Sequence, residues 1–166
     1  MSFGMRVDLK VDRSGLTALK RALSPRHSKS IKIGWWGTSN PRHPSTAQVA
    51  KWNEEGHING GWFDGTYTPP RPFIRLGWTP KAISLMKDQS AQMKSVLDGG
   101  TSWEDLYKNL SEELQDHMKN TITGWSRSRN KASTIALKGF DDPLIESGTM
   151  RDNVKTEIIP FTKRGR

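Results

Sequence analysis

The sequence contains no cysteine among its 166 residues, so disulfide bonds, thiolate zinc sites and cysteine catalysis are excluded. Hydrophobic residues are also scarce, at 33% of the chain, which is low for a globular domain. No apolar run approaches the roughly 20 residues that a membrane-spanning helix requires. The N-terminus lacks the apolar segment of a signal peptide. We therefore expect a protein that is made in the cytoplasm and does not enter a membrane.

Catalytic motifs are lacking as well. The histidines are far apart and have no ligand partners at metal-binding spacing. They are His27, His43, His57 and His117. Glu54, Glu55 and Asp64 could hold the metal of a nuclease, but a solvated helix end and a turn account for them more simply. We expect no enzyme activity, no cofactor and no bound metal.

What the chain does have is positive charge and tryptophan. The formal net charge is +9 and there are seven tryptophans. Such a charge favours an acidic partner, either nucleic acid or the acidic face of another protein. Exposed aromatic side chains are typical of subunit contacts. The basic residues are scattered, and no nucleic-acid-binding motif accompanies them. They form two small clusters, at Arg127, Arg129 and Lys131 and at Lys163, Arg164 and Arg166.

The strongest periodic pattern lies between Thr101 and Trp125. Its apolar residues recur at steps of three and four, which predicts a long amphipathic helix with one apolar stripe. The stripe consists of Trp103, Leu106, Tyr107, Leu110, Leu114, Met118, Ile122 and Trp125. Thr101 and Glu104 form a capping-box pattern at the start. We interpret the stripe as core rather than as a cofactor groove.

Weaker patterns predict the remaining elements, from alternating apolar residues for strands and from capping residues for helices. Strands are expected at 5–11, 30–36 and 154–161, and short helices at 14–23 and 45–55. A longer helix is expected from Thr79-Pro80 to Leu97, forming an antiparallel hairpin with the helix at 101–125. Together these elements predict an α+β fold in which a small, mostly antiparallel sheet packs against a long helical hairpin.

Several irregular segments should extend from a single domain that spans residues 1–166. Asp64-Gly65, between aromatic residues, predicts a projecting hairpin or ordered loop at about 57–68. Residues 126–142, which we call the arm, are polar and lack sustained periodicity, which predicts a mobile segment. The tail at 162–166 is basic.

The stretch 68–75 contains three prolines, which favour an extended backbone that cannot donate ladder hydrogen bonds. One interpretation is a polyproline ligand for an aromatic groove in a partner. The other, which we prefer, is a rigid connector that holds Phe73 and Ile74 in the core.

Three stretches, taken in order, resemble a known family. The first is Val49-Ala50-Lys51-Trp52-Asn53-Glu54-Glu55-Gly56, and the second is Pro69-Pro70-Arg71-Pro72-Phe73-Ile74-Arg75. The third comprises Lys138-Gly139 and Pro143-Leu144-Ile145-Glu146-Ser147-Gly148-Thr149-Met150. From about Val49 to Val154, the chain thus resembles the neck and tail-completion proteins of tailed bacteriophages, the virion morphogenesis family. One departure is Ser126-Arg127-Ser128-Arg129, which stands where the family has an Asn/Pro-rich turn.

The resemblance implies a non-enzymatic structural subunit of the virion, located at the interface between head and tail. It implies a homo-oligomeric ring, expected to be a hexamer, through which the genomic DNA passes. The partners would be neighbouring neck, connector and tail-terminator or tail-tube proteins. Basic residues could face the DNA or the acidic surfaces of neighbouring rings, and we prefer the second because tight binding in the lumen would hinder DNA transit. The alternative hypothesis is a basic DNA-binding protein that acts as a monomer or dimer.

The candidate contact residues come from the hairpin, the proline stretch, the arm and the segment after it. They are Trp62, Phe63, Tyr67, Arg71, Phe73, Arg127, Arg129, Lys131, Leu144 and Ile145. Extended arms become ordered on binding and wrap adjacent surfaces. In a ring, one subunit's arm must fit a different patch on the next subunit.

Overall fold

The computed structural model describes Thr17, Lys20, Ser24 and Gly65, together with residues 28–36, 44–58 and 67–161. The strand expected at 5–11, nearly all of the helix expected at 14–23 and the basic tail at 162–166 lie outside these residues. Among the residues that the structure describes, no helix is both long enough and apolar enough to span a bilayer.

The described part of the chain contains helices and two small antiparallel sheets, which confirms the α+β class. The helices are α1 (Thr46–Glu55), α2 (Phe73–Leu97), α3 (Trp103–Thr123), α4 (Ala132–Lys138) and α5 (Thr149–Asp152). The strands are β1 (Lys29–Gly34), β2 (His57–Ile58), β3 (Tyr67–Thr68) and β4 (Lys155–Pro160).

Each sheet is a pair of strands. In the larger one, β1 pairs with β4, from Lys29 opposite Pro160 to Gly34 opposite Lys155. The strands expected at 30–36 and 154–161 are therefore confirmed. In the smaller one, β2 pairs with β3 and sets Ile58 opposite Tyr67, so the ends of the 57–68 segment form the predicted hairpin.

Helices α2 and α3 run antiparallel and contact each other along one side. Lys81 forms an ion pair with Glu113, and one turn further the His117 Nε2 atom donates to the Gly77 carbonyl oxygen at 2.9 Å. A Cβ atom at Gly77 would clash with the side chain of Thr121, so glycine permits the close approach of the two helices here. His117 thus has a structural partner, in agreement with the interpretation that it is not a metal ligand.

The predicted start of α2 is wrong. The helix begins at Phe73 rather than at Thr79, and Pro80 lies inside it. The first backbone N–H groups are bound by Glu54, which belongs to α1 and lies about 20 positions earlier in the sequence. Because this cap comes from another helix, the local sequence did not indicate it. The Thr79 hydroxyl donates to the Arg75 carbonyl oxygen at 3.0 Å instead of capping a new helix.

Helix α3 confirms the predicted stripe, and its cap differs by one residue. Ser102, rather than Thr101, is the N-cap, and its hydroxyl oxygen accepts from the Asp105 N–H at 3.0 Å. The helix ends at Thr123, and Trp125 is buried beyond that end. The expected helix at 45–55 is confirmed as α1, capped by Ser45 and ended by Gly56.

The core lies where α1, the start of α2 and the second half of α3 meet the segment before β4. Its three most completely buried large side chains are Phe73, Ile122 and Val154. The rest of the cluster consists of Ala50, Met118, Trp125, Leu144 and Met150. The connector interpretation of 68–75 is therefore confirmed for Phe73, which is 0% exposed.

The arm differs from the prediction in one respect. Residues 132–138 form α4, so the segment is not devoid of regular structure. Helix α4 has only seven residues and buries none of them, which explains why no sustained hydrophobic periodicity predicted it. The mobility of the arm stays a prediction.

Replacing Pro80 with alanine should stabilise the protein, because alanine restores a backbone N–H inside α2 and removes a ring that crowds the preceding turn. The expected gain in the free energy of unfolding is about 1–3 kcal/mol, measured by urea denaturation. Pro69→Ala, at an exposed position before α2, is the control and should change this free energy by less than about 1 kcal/mol. A loss of stability in Pro80→Ala would contradict the prediction.

Candidate interaction site

Arg71 joins segments that are far apart in the sequence. Its backbone N–H donates to the Asn53 carbonyl oxygen at 2.6 Å. Its Nη1 atom donates to the Pro143 carbonyl oxygen at 3.0 Å and to Asn53 Oδ1 at 3.4 Å. Its Nη2 atom donates to Asn130 Oδ1 at 3.1 Å. We call this group, Arg71 with Asn53, Asn130 and Pro143, the Arg71 junction.

The Arg71 junction places a positive charge in a partly buried position. Burial lowers the pKa of the Arg71 guanidinium, while the nearby carboxylate of Asp141 raises it. Arginine nevertheless stays charged in proteins, so the buried charge requires hydrogen-bond acceptors. Asp141 also accepts the backbone N–H of Asn130 at 3.0 Å, which holds Asn130 against Arg71. The junction therefore depends on both the charge and its fixed acceptors.

Glu54 links α1 to α2 in a similar way. Its Oε2 atom accepts the Ile74 N–H at 2.8 Å, and Oε1 accepts the Arg75 N–H at 3.3 Å and Arg75 Nε at 2.9 Å. The Glu54 side chain is 11% exposed. A carboxylate at the first turn satisfies free N–H groups and complements the positive end of the helix dipole. Glu54 thus acts as the cap that α2 lacks in its own sequence.

Glu54 was one of the three residues considered as ligands of a nuclease metal, but it caps α2 instead. Both oxygens of Glu54 are engaged with α2, and Asp64 lies outside the described residues. Within the described ranges, no group of three or more histidine or acidic side chains is placed to hold a metal ion.

Gly56 allows α1 to end directly against the proline stretch. Its φ angle is +76°, a conformation that favours glycine. A Cβ atom would lie 2.9 Å from the Pro70 nitrogen and 3.0 Å from the Thr68 carbonyl oxygen. Glycine is therefore required both by the backbone and by the contact.

The arm is fastened at both of its ends. Asn130 is held in the Arg71 junction, and the Lys138 ammonium group donates to the carbonyl oxygens of Asp142, at 2.8 Å, and Ile145. The Lys138 Nζ atom also lies 4.8 Å from the centroid of the Phe140 ring. Leu144, just beyond the arm, is 6% exposed and belongs to the core. The arm is thus a loop with two fixed attachment points.

A cleft of about 440 Å³ opens beside the Arg71 junction, between the end of α3 and the segment 141–143. Arg129 and Asp141 lie on its wall, with Arg129 Nε 4.0 Å from Asp141 Oδ2. The Arg129 side chain is 85% exposed, so this pair contributes little to stability. Arg129 is available to a partner.

The structure separates the predicted contact residues into three groups. Tyr67, Arg127, Arg129 and Lys131 are exposed. Arg71 and Ile145 are half-buried. Phe73 and Leu144 are core residues, so the prediction that they contact a partner is corrected: their side chains pack inside the subunit. Trp62 and Phe63 lie outside the described residues.

Sequence reasoning missed two exposed apolar side chains. Ile58 is 70% exposed and lies opposite the exposed Tyr67 in the β2–β3 pair. Leu137 is 90% exposed on α4. Glycine is common where helices end, so Gly139 could have indicated a short helix there. In the structure Gly139 ends α4 in the left-handed conformation.

No protein-family model matches this chain, and no curated protein or solved structure is significantly similar to it.

Arg71→Lys should destabilise the protein, because lysine keeps the charge but cannot reach Asn53, Asn130 and Pro143 together. The expected loss is about 2–3 kcal/mol in the free energy of unfolding, measured by chemical denaturation. Arg127→Lys, at an exposed position, is the matched control and should change it by less than about 0.5 kcal/mol. Equal effects of the two substitutions would contradict the role given to the Arg71 junction.

Glu54→Gln should weaken the start of α2, because the amide group presents its own N–H donors to the N–H groups of Ile74 and Arg75. The expected loss is about 1–3 kcal/mol in the free energy of unfolding. Glu55→Gln is the control, since the Glu55 side chain is 61% exposed and its ion pair with Lys51 spans 3.9 Å. Amide hydrogen exchange of residues 74–77 should rise in Glu54→Gln alone, and unchanged exchange would contradict the cap.

Proposed function

We propose that this chain is a structural virion protein of a tailed bacteriophage and lies in the neck between head and tail. It assembles there into a homo-oligomeric ring through which the genomic DNA passes. It acts by contact with neighbouring neck, connector and tail proteins and catalyses no reaction.

The observation that carries this proposal is the meeting of the three stretches that resemble the family. Asn53 and Glu54 of the first stretch bind Arg71 and Arg75 of the second. Arg71 in turn binds Pro143, the first residue of the last segment of the third stretch. Residues that were singled out by order in the sequence therefore form one connected structural unit. If the three stretches resembled the family only by chance, hydrogen bonds that connect all three would not be expected.

The surface of the subunit also supports a role in assembly. Exposed apolar side chains are found on the hairpin, on α4 and after β4, at Ile58, Leu137 and Phe161. Apolar side chains that project on hairpins and arms are suited to burial against another subunit. The net charge of +9 suits acidic neighbouring surfaces.

One observation favours the alternative, a DNA-binding protein that needs no ring. Arg127, Arg129 and Lys131 are all exposed and lie within five consecutive residues, where they could contact phosphates. The two hypotheses differ in what an isolated subunit does. A neck subunit binds other proteins, whereas the alternative requires salt-dependent binding of duplex DNA by the isolated chain.

Loss of the chain in the phage that encodes it should give filled heads and separate tails that do not join. The measurement is electron microscopy of lysates with and without complementation, together with antibody labelling of intact particles at the neck. Joined particles without the chain would contradict the proposal.

A second measurement tests the alternative. Titration of labelled duplex DNA with the purified chain at several salt concentrations should show no strong binding. Tight binding with a steep dependence on salt, lost in an Arg127→Ala, Arg129→Ala, Lys131→Ala variant, would favour the alternative.

A further inference from the structure

We draw no further inference here: the strongest candidate, the apolar groove that Ile31, Met93, Trp103 and Leu110 line between β1, α2 and the first half of α3, carries none because nothing in the described part of the structure shows what covers it.

Discussion

The fold depends on one half-buried positive charge, the guanidinium of Arg71, which requires hydrogen-bond acceptors. The Arg71 guanidinium is partly removed from water, and hydrogen bonds from its two Nη atoms offset the cost of burying the charge. Asn53, Asn130 and Pro143 supply the oxygens. Since these acceptors belong to α1, the arm and the segment before α5, the hydrogen bonds from the two Nη atoms of one side chain bring three distant parts of the chain together.

This polar connection matters more because the apolar core is small. Only 33% of the residues are hydrophobic, and several of the large ones are exposed. The burial of Phe73 and Ile122 stabilises the centre of the subunit. It does not determine where the arm lies, because α4 buries none of its residues. Hydrogen bonds from Arg71 and Lys138 determine the position of the arm.

The sequence predicted the elements whose pattern is local and periodic. The stripe of α3, the strands β1 and β4 and the cap of α1 at Ser45 all depend on neighbouring residues, and all are present. The start of α2 could not be predicted in this way, because its cap is Glu54, a residue of another helix. The same limit applies to the site. The sequence identified the stretches that meet around Arg71, but their meeting depends on tertiary hydrogen bonds.

The charge distribution along α3 gives the subunit a direction. Carboxylates such as Glu104 and Glu112 lie along its first half, and the basic arm begins at its other end. Two copies placed side by side in the same direction bring like charges together at both ends, whereas copies placed side by side in opposite directions match opposite charges at both ends.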